Sequence, residues 1–357
     1  MALHRSELPE AVIDLLFGGT VIPAHPLALT AAREFDPVRQ RALTRYYIDA
    51  GSGGLAVGVH ATQFEIRDAG LYRPVLECAM EAAADWADDW AGRPPIMIAG
   101  LAGGTAQAVA EAQTAVAIGY HAGLLSLAAM KGTSDDDLIA HCNAVAAEIP
   151  LVGFYLQPAV GGILLSVNFW KRFAEIDNVI AVKTAPFNRY RTLDVIRGVV
   201  EAGAEDRVAV YTGNDDHIVL DLLEPFTSLR DGGEVRVQIR GGLLGHWSVW
   251  TMRAVEQLAR IHAAIDASTV DADLLALNSK ITDCNRAIFD VEHDFAGCIP
   301  GCHEILRRQG LLDGTWCLNP DEMLSPGQAE ELDRVYAGYP DLNDDAFVAE
   351  NLERWLG

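Results

Sequence analysis

The sequence predicts an α/β protein of the (β/α)8 barrel class, a TIM barrel with a C-terminal helical extension. Eight short runs of β-branched or apolar residues recur along the chain, and most are followed by a longer stretch of helical composition. This alternation indicates parallel strands joined by crossover helices, and eight repeats favour a closed barrel over an open sheet. No Gly-x-Gly-x-x-Gly turn follows the first run, which argues against a dinucleotide-binding fold.

The predicted elements follow from these runs in chain order. The strands are Thr20 to Pro23, Gly54 to Val59, Pro95 to Leu101, Ala122 to Leu127, Leu151 to Leu156, Val179 to Thr184, Val208 to Thr212 and Val235 to Arg240. The helices between them are Pro37 to Ala50, Leu71 to Trp86, Thr105 to Ile118, Asp135 to Ala147, Asn168 to Glu175, Leu193 to Glu201 and His217 to Leu223. Ser134 is a typical N-cap, and Gly51 and Gly119 stand where left-handed C-caps are expected.

Two regions are predicted from this pattern. Residues 1–267 form the barrel, and residues 268–357 form a helical extension with an acidic tail. The tail begins after about residue 318 and is expected to wrap over a neighbour or a face of the protein.

Composition limits the partners and the compartment. Asp and Glu number 50 against 27 Lys and Arg, and the net charge of -23 disfavours binding to nucleic acid. No long apolar run predicts a membrane span, and the N-terminus lacks the pattern of a secretory signal. Six cysteines without such a signal are expected to be reduced thiols of a cytoplasmic protein, with a zinc site at Cys298, Cys302 and His303 as an alternative.

Catalytic groups of a barrel lie where its strands end, so the polar residues at the ends of the eight runs are the candidates. They are His25, His60, Tyr155, Lys183, Asn214, Asp215 and His246. Lys183 follows four apolar residues in NVIAVKTAPF, where burial lowers the pKa of an amine and makes it nucleophilic. A lysine that reaches solvent at the strand end is the alternative. Tyr155 ends the preceding strand and is expected at the same barrel mouth, as a proton donor or as a packed aromatic.

These residues resemble a known family, the dihydrodipicolinate synthase and N-acetylneuraminate lyase family of class I Schiff-base lyases. The resemblance covers roughly residues 15 to 300. Its markers are Tyr155-Leu156-Gln157-Pro158, Val182-Lys183, the segment AGSGGLAVGVHATQF and Thr212-Gly213-Asn214-Asp215-Asp216. The resemblance implies a (β/α)8 barrel in which Lys183 forms an imine with a 2-oxo acid and Tyr155 is the proton shuttle.

Three departures from the family pattern point to another substrate. The loop that usually reads Gly-Thr-Thr-Gly-Glu and holds the substrate carboxylate is Gly58-Val59-His60-Ala61-Thr62 here. The arginine that synthases carry after the Tyr-x-x-Pro segment is absent from Ala159-Val160-Gly161-Gly162, and Ala128-Ala129-Met130 replaces a tyrosine pair. His60 is therefore expected to bind the substrate carboxylate, and Arg189 or Arg191, in the loop after Lys183, to supply the missing anion clamp.

The leading hypothesis is a Schiff-base-forming lyase or aldolase that acts on a 2-oxo acid such as pyruvate. Its catalytic residues are Lys183 and Tyr155, and the predicted substrate-binding residues are His60, Ala61, Thr62, His25, Arg189, Asn214, Asp215 and Gly242. The alternatives are a metal-dependent barrel lyase or hydrolase that uses His25, His60 and Asp215, and a non-catalytic ligand-binding barrel. We expect no cofactor, no nucleic-acid or membrane partner, and a homo-oligomer that is a dimer or a tetramer.

Overall fold

The computed structural model describes residues 2–86 and 95–357. The strands are β1 (Val21–Pro23), β2 (Gly54–Val57), β3 (Ile96–Leu101), β4 (Ala122–Leu125), β5 (Leu151–Tyr155), β6 (Val179–Thr184), β7 (Ala209–Thr212), β8 (Pro225–Arg230), β9 (Gly233–Gln238) and β10 (Gly241–Leu244). The helices are α1 (Glu10–Gly18), α2 (Pro37–Asp49), α3 (Tyr72–Trp86), α4 (Thr105–Ile118), α5 (Asp135–Ala146), α6 (Val167–Glu175), α7 (Arg189–Glu201), α8 (Ile218–Leu223), α9 (Thr251–Asp266), α10 (Ala272–Ile288), α11 (Cys298–Arg308), α12 (Gln328–Gly338) and α13 (Asp345–Leu356).

The sheet confirms the predicted fold class. Eight strands are hydrogen-bonded in the order β1-β10-β7-β6-β5-β4-β3-β2. The two strands at the ends of this order meet through a parallel bridge between Ala24 and Ala56, which closes the ring. With helices between successive strands, this is a (β/α)8 barrel followed by C-terminal helices.

The prediction of the eighth strand is wrong. Residues 235–240 were expected to complete the barrel, but β9 pairs antiparallel with β8 in a separate two-stranded sheet, and β10 is the barrel strand. Asp231 and Gly232, with φ of 53° and 80°, make the tight turn of this hairpin. The alternation of apolar and polar residues in β9 suits a strand with one wet face, whereas all four residues of β10 are buried.

The described residues pack into two compact units. The first unit comprises Met1–Gly19 and Ile96–Leu243, and the second comprises Thr20–Pro95 and Leu244–Gly357. Strands β3 to β7 therefore belong to the first unit with Lys183, and strands β1 and β2 belong to the second. The predicted boundary at residue 267 falls between α9 and α10 and stays a prediction.

The acidic C-terminal tail is folded and packs within the second unit. The buried carboxylate of Asp344 accepts hydrogen bonds from the Tyr46 hydroxyl (2.8 Å) and the Gln309 amide (2.8 Å). Trp355 in α13 is fully buried, and its indole N–H donates to Asp49 at the end of α2. Among the residues that the structure describes, no helix has both the length and the apolar character that crossing a membrane requires.

Candidate active site

Lys183 lies near the end of β6, in the first unit. All six residues of β6 are buried, as expected for a barrel strand that is covered on both faces. The sequence contains four lysines, and Lys183 is the buried one, with 7% of its surface exposed. The other three, Lys131, Lys171 and Lys280, are partly or fully exposed. An amine inside the barrel therefore comes from a single residue.

The neighbouring strands determine what surrounds this amine. Phe154 of β5 and Tyr211 of β7 are the register neighbours of Lys183. The Nζ atom lies 4.5 Å from the centroid of the Phe154 ring, within the range of a cation–π contact. The face of the Phe154 ring attracts the ammonium form of Lys183 but cannot act as a base.

Burial changes the acidity of Lys183. It lowers the pKa of the amine to about 8, because desolvation disfavours the ammonium ion, and the negative charge of Asp215 raises it again in part. Near pH 8, about half of the Lys183 side chains are then neutral and nucleophilic. This confirms the predicted environment of the lysine and excludes a side chain that reaches freely into solvent.

Gly213, directly after β7, lets the backbone approach the lysine. A Cβ atom at this position would lie 2.5 Å from Cε of Lys183 and 2.9 Å from Cβ of Ala185. The Gly213 N–H donates to the carbonyl of Thr184 (2.7 Å), which holds the turn against β6. Asp215, two residues further on, is 8% exposed and acts electrostatically on Lys183.

The structure does not bring Tyr155 to the lysine as predicted. Tyr155 pairs in register with Thr184 and therefore faces away from Lys183. Its hydroxyl donates to the Leu165 carbonyl (3.4 Å) and accepts from the Leu165 N–H (3.3 Å), and its ring lies 5.4 Å from Trp170 of α6. Burial raises the pKa of this phenol. The proton-shuttle assignment therefore lacks the expected geometry.

A shift of register between β5 and β6 explains this orientation. Leu151 pairs with Val179, but the next residue, Val152, pairs with Ala181, so one residue of β6 is skipped. Side chains alternate between the two faces of a strand, and a one-residue shift therefore exchanges the faces. Phe154, rather than Tyr155, lies beside the lysine.

Asn214 and Arg189 both have protein partners in the first unit. Asn214 is fully buried, and its amide donates to Asp221 (2.8 Å) and to Thr192 (3.2 Å). The guanidinium of Arg189 is bonded to Asp221 and lies 3.9 Å from Asp216. The amide nitrogen of Asn214 thus has two protein partners, whereas Nη2 of Arg189 is buried without a hydrogen-bond partner among the residues that the structure describes. Substrate binding by these two residues stays a prediction.

His25, in the second unit, is fully buried. Its Nδ1 atom lies 2.9 Å from the Pro26 carbonyl oxygen and 2.9 Å from the Gln40 amide nitrogen, and its Nε2 lies 2.9 Å from the Thr44 hydroxyl. Burial lowers the pKa of His25 to about 4, so the ring is neutral at pH 7. Both ring nitrogens have protein partners, and substrate binding by His25 stays a prediction.

The loop after β2 carries the other predicted binding residues of the second unit. His60, Ala61 and Thr62 form a short 3-10 turn. The hydroxyl of Thr62 donates to the His25 carbonyl (2.6 Å) and accepts from the Gly58 N–H (2.9 Å), which makes it a structural residue. His60 is half-exposed, and its ring lies 5.9 Å from that of Phe64.

The remaining candidates do not form a metal site. Gly242 lies in β10 beside Thr212. His246 is buried, with its pKa lowered to about 4 by desolvation, and packs edge-on against Trp250. Within residues 2–86 and 95–357, no group of three or more His, Cys, Asp and Glu side chains could hold a metal ion. The metal-dependent alternative and the zinc alternative therefore lack a ligand set in this part of the chain.

Two residues around the lysine were missed from the sequence. Phe154 is one of several apolar residues in β5, and only the register shows that its ring faces Lys183. Asp221 stands alone in the apolar helix segment IVLDLL, yet it is fully buried. An acidic residue inside an apolar helix is a signal for a buried polar network, and it was available in the sequence.

A family model and curated relatives match this chain. The model of the Dihydrodipicolinate synthetase family matches residues 19–225, which is more than half of the 357 residues. The 4-hydroxy-tetrahydrodipicolinate synthase of Halorhodospira halophila is 26% identical over 259 residues, covering 71% of this chain and 76% of that enzyme. The enzyme of the same name from an Azoarcus species is 27% identical over 302 residues, covering 84% and 90%.

Solved structures are similar in fold. Dihydrodipicolinate synthase from Oceanobacillus iheyensis superposes with a TM-score of 0.71 at 15% identity, covering 91% of this chain and 97% of that one. N-acetylneuraminate lyase from Fusobacterium nucleatum gives a TM-score of 0.69 at 16% identity, covering 90% and 99%. At this identity the likeness establishes the barrel and its C-terminal helices.

Proposed function

The chain belongs to the dihydrodipicolinate synthetase family of Schiff-base-forming, class I aldolase-type lyases, and we propose that Lys183 is the residue that forms its imine with a 2-oxo acid. The observation that carries this proposal is the environment of Lys183. It is the buried one of four lysines, it lies at the end of a barrel strand, and burial brings its pKa to about 8. A perturbed amine at this end of a barrel strand is typical of a catalytic group.

The chemistry follows from the neutral amine. Lys183 adds to the 2-oxo carbon, and the resulting carbinolamine loses one water to give the imine. Once protonated, the imine nitrogen accepts the electron pair of the bond that breaks at the carbon next to the imine carbon. Cleavage and condensation are the two directions of this one step.

Asp215 supports the proton transfers in this proposal. Its charge acts on Lys183 and stabilises the protonated forms of the nitrogen. It also provides a carboxylate two residues after the glycine that contacts the lysine. We therefore propose Asp215 as the group that exchanges protons with the amine, in the place that the sequence suggested for Tyr155.

Borohydride trapping tests the imine directly. The protein is incubated with pyruvate or with larger 2-oxo acids, reduced with borohydride and measured by intact mass. We expect a mass gain of substrate size in the wild type and in Lys171→Ala, a matched control on α6, and none in Lys183→Ala. A wild type without an adduct for any acid would favour the non-catalytic ligand-binding barrel, and an adduct that persists in Lys183→Ala would move the imine to another residue.

Assembly and location complete the proposal. Large apolar side chains are exposed in the first unit, including Leu164 at 67% and Tyr190 at 81%. Such side chains favour association between copies, and we propose a homo-oligomer, a dimer or tetramer, in the cytoplasm. Light scattering coupled to gel filtration measures the mass in solution, and a monomer at micromolar concentration would contradict the assembly.

A further inference from the structure

A buried network behind the lysine has Asp221 of α8 at its centre. Asp221 is fully buried and accepts hydrogen bonds from the Thr212 hydroxyl (2.7 Å) and the Asn214 amide (2.8 Å). It is also bonded to Arg189, and its carboxylate lies 3.2 Å from Nδ1 of His217. A buried carboxylate requires such partners, because desolvation of the charge is costly.

Asn214 extends this network to the loop that follows β6. Its side-chain oxygen accepts a hydrogen bond of 3.0 Å from the N–H of Phe187. Phe187 is a non-glycine residue with a positive φ of 51°. Its amide nitrogen donates to Thr192 of α7 as well as to Asp221. One side chain therefore connects the loop after Lys183 to the turn after β7.

The turn after β7 is the segment that contacts the lysine. Gly213 lies between Thr212 and Asn214, and both of these neighbours are bonded to Asp221. The same Gly213 has no space for a Cβ atom beside Lys183. Asp215, whose charge acts on Lys183, follows Asn214 directly. A displacement of Asn214 would therefore move both the Gly213 backbone beside the lysine and the Asp215 carboxylate that acts on it.

We propose that Asn214 and Asp221 are positioning residues, which hold the Gly213 to Asp215 turn against Lys183 and so determine the reactivity of the amine. This inference rests on the proposed function of Lys183 as the imine-forming residue. Both residues act through the turn and not by contact with the substrate. A role in stability alone would leave the reactivity of the lysine in the folded protein unchanged.

The experiment measures, as a function of pH, the rate at which the borohydride-trapped pyruvate adduct forms. Asn214→Ala removes the connection without a change of charge. We expect the limiting rate to fall on the order of 10- to 100-fold, because a misplacement of about 1 Å has an effect of this size. We also expect the midpoint of the pH profile to move below that of the wild type, because a displaced Asp215 no longer raises the pKa of Lys183.

Two further variants keep the test decisive. Thr192→Val serves if Asn214→Ala does not fold. It removes the hydroxyl that accepts from Asn214 and donates to the Asn188 carbonyl, and we expect a smaller change with the same sign. Glu205→Gln is the matched control, since Glu205 is a partly buried carboxylate of the first unit that pairs with Arg230. We expect the control to trap pyruvate as the wild type does.

The outcomes separate this inference from the proposed function. Folded Asn214→Ala or Thr192→Val with the wild-type rate and pH midpoint would overturn the positioning role and leave the imine on Lys183 intact. A wild type that forms no adduct with pyruvate or with the larger 2-oxo acids would remove the proposed function, and the positioning role with it.

Discussion

Replacing Gly213 by alanine should impair the reaction while leaving the protein folded. The new Cβ would lie 2.5 Å from Cε and 3.1 Å from Cγ of Lys183. Non-bonded carbon atoms settle at roughly 3.5–4.0 Å, so the lysine side chain must move by about 1 Å. Such a displacement of a reacting group reduces a rate on the order of 100-fold. Cε is near the end of a flexible side chain, but Cβ of Ala185, 2.9 Å from the new atom, moves only with the backbone. We therefore expect the free energy of unfolding to fall by about 1–3 kcal/mol, the usual range for overpacking.

The assay is the initial rate of borohydride-trapped pyruvate adduct at pH 8, read beside a urea unfolding curve. Gly18→Ala is the matched control, because a Cβ there would have no atom within 4 Å. We expect wild-type trapping in the control and the large loss only in Gly213→Ala. Trapping at the wild-type rate by a folded Gly213→Ala would refute the reasoning that the backbone at Gly213 determines the position of the amine.

Four further predictions concern single side chains. The pKa of Lys183 is about 8 in the folded protein, whereas an exposed lysine has a pKa of 10.5, so the unfolded chain binds more protons between pH 8 and 10.5. Relative to Lys183→Met, the free energy of unfolding of the wild type should be lower by about 3 kcal/mol below pH 8, and this difference should disappear as the pH rises to about 10.5. The same pH dependence in urea titrations of both proteins would contradict this. His25 has a pKa of about 4, so the free energy of unfolding should fall as the pH falls from about 6.5 to 4, and His25→Leu should weaken that slope in urea titrations. Trp355→Ala should lower the free energy of unfolding by about 3–5 kcal/mol in urea, and a loss below 1 kcal/mol would contradict its burial in the second unit. Tyr155→Phe should still trap pyruvate, since the phenol is hydrogen-bonded to Leu165. If intact mass shows no adduct in this variant, the phenol takes part in the reaction.

Much of the fold follows from local patterns in the sequence. The run from Val179 to Thr184 was predicted with the bounds that the structure shows, because a strand buried on both faces is continuously apolar. The eighth strand was misplaced because Val235 and Val237 alternate with polar residues. That alternation is typical of a hairpin with one wet face, and the Asp231-Gly232 turn was the available signal.

The site could be predicted only in part, because the face that a side chain occupies depends on register. Without the shift after Leu151, Tyr155 would pair with Lys183, as the sequence suggested. One skipped residue exchanges the faces and brings Phe154 to the amine instead. No local pattern in β5 reveals this shift, since both of its faces are buried.

The partners of each buried polar group distinguish structural residues from reactive ones. His25 has protein partners at both ring nitrogens, and Asp221 accepts from a hydroxyl, an amide and a guanidinium. Groups satisfied in this way stabilise one arrangement of the chain. Lys183 instead lies over a ring face, and burial lowers its pKa to about 8 while Asp215 raises it in part. A buried amine whose charge is only partly compensated loses its proton easily and can then form a bond to carbon. On this ground we propose Lys183, and not His25 or Asp221, as the reactive residue.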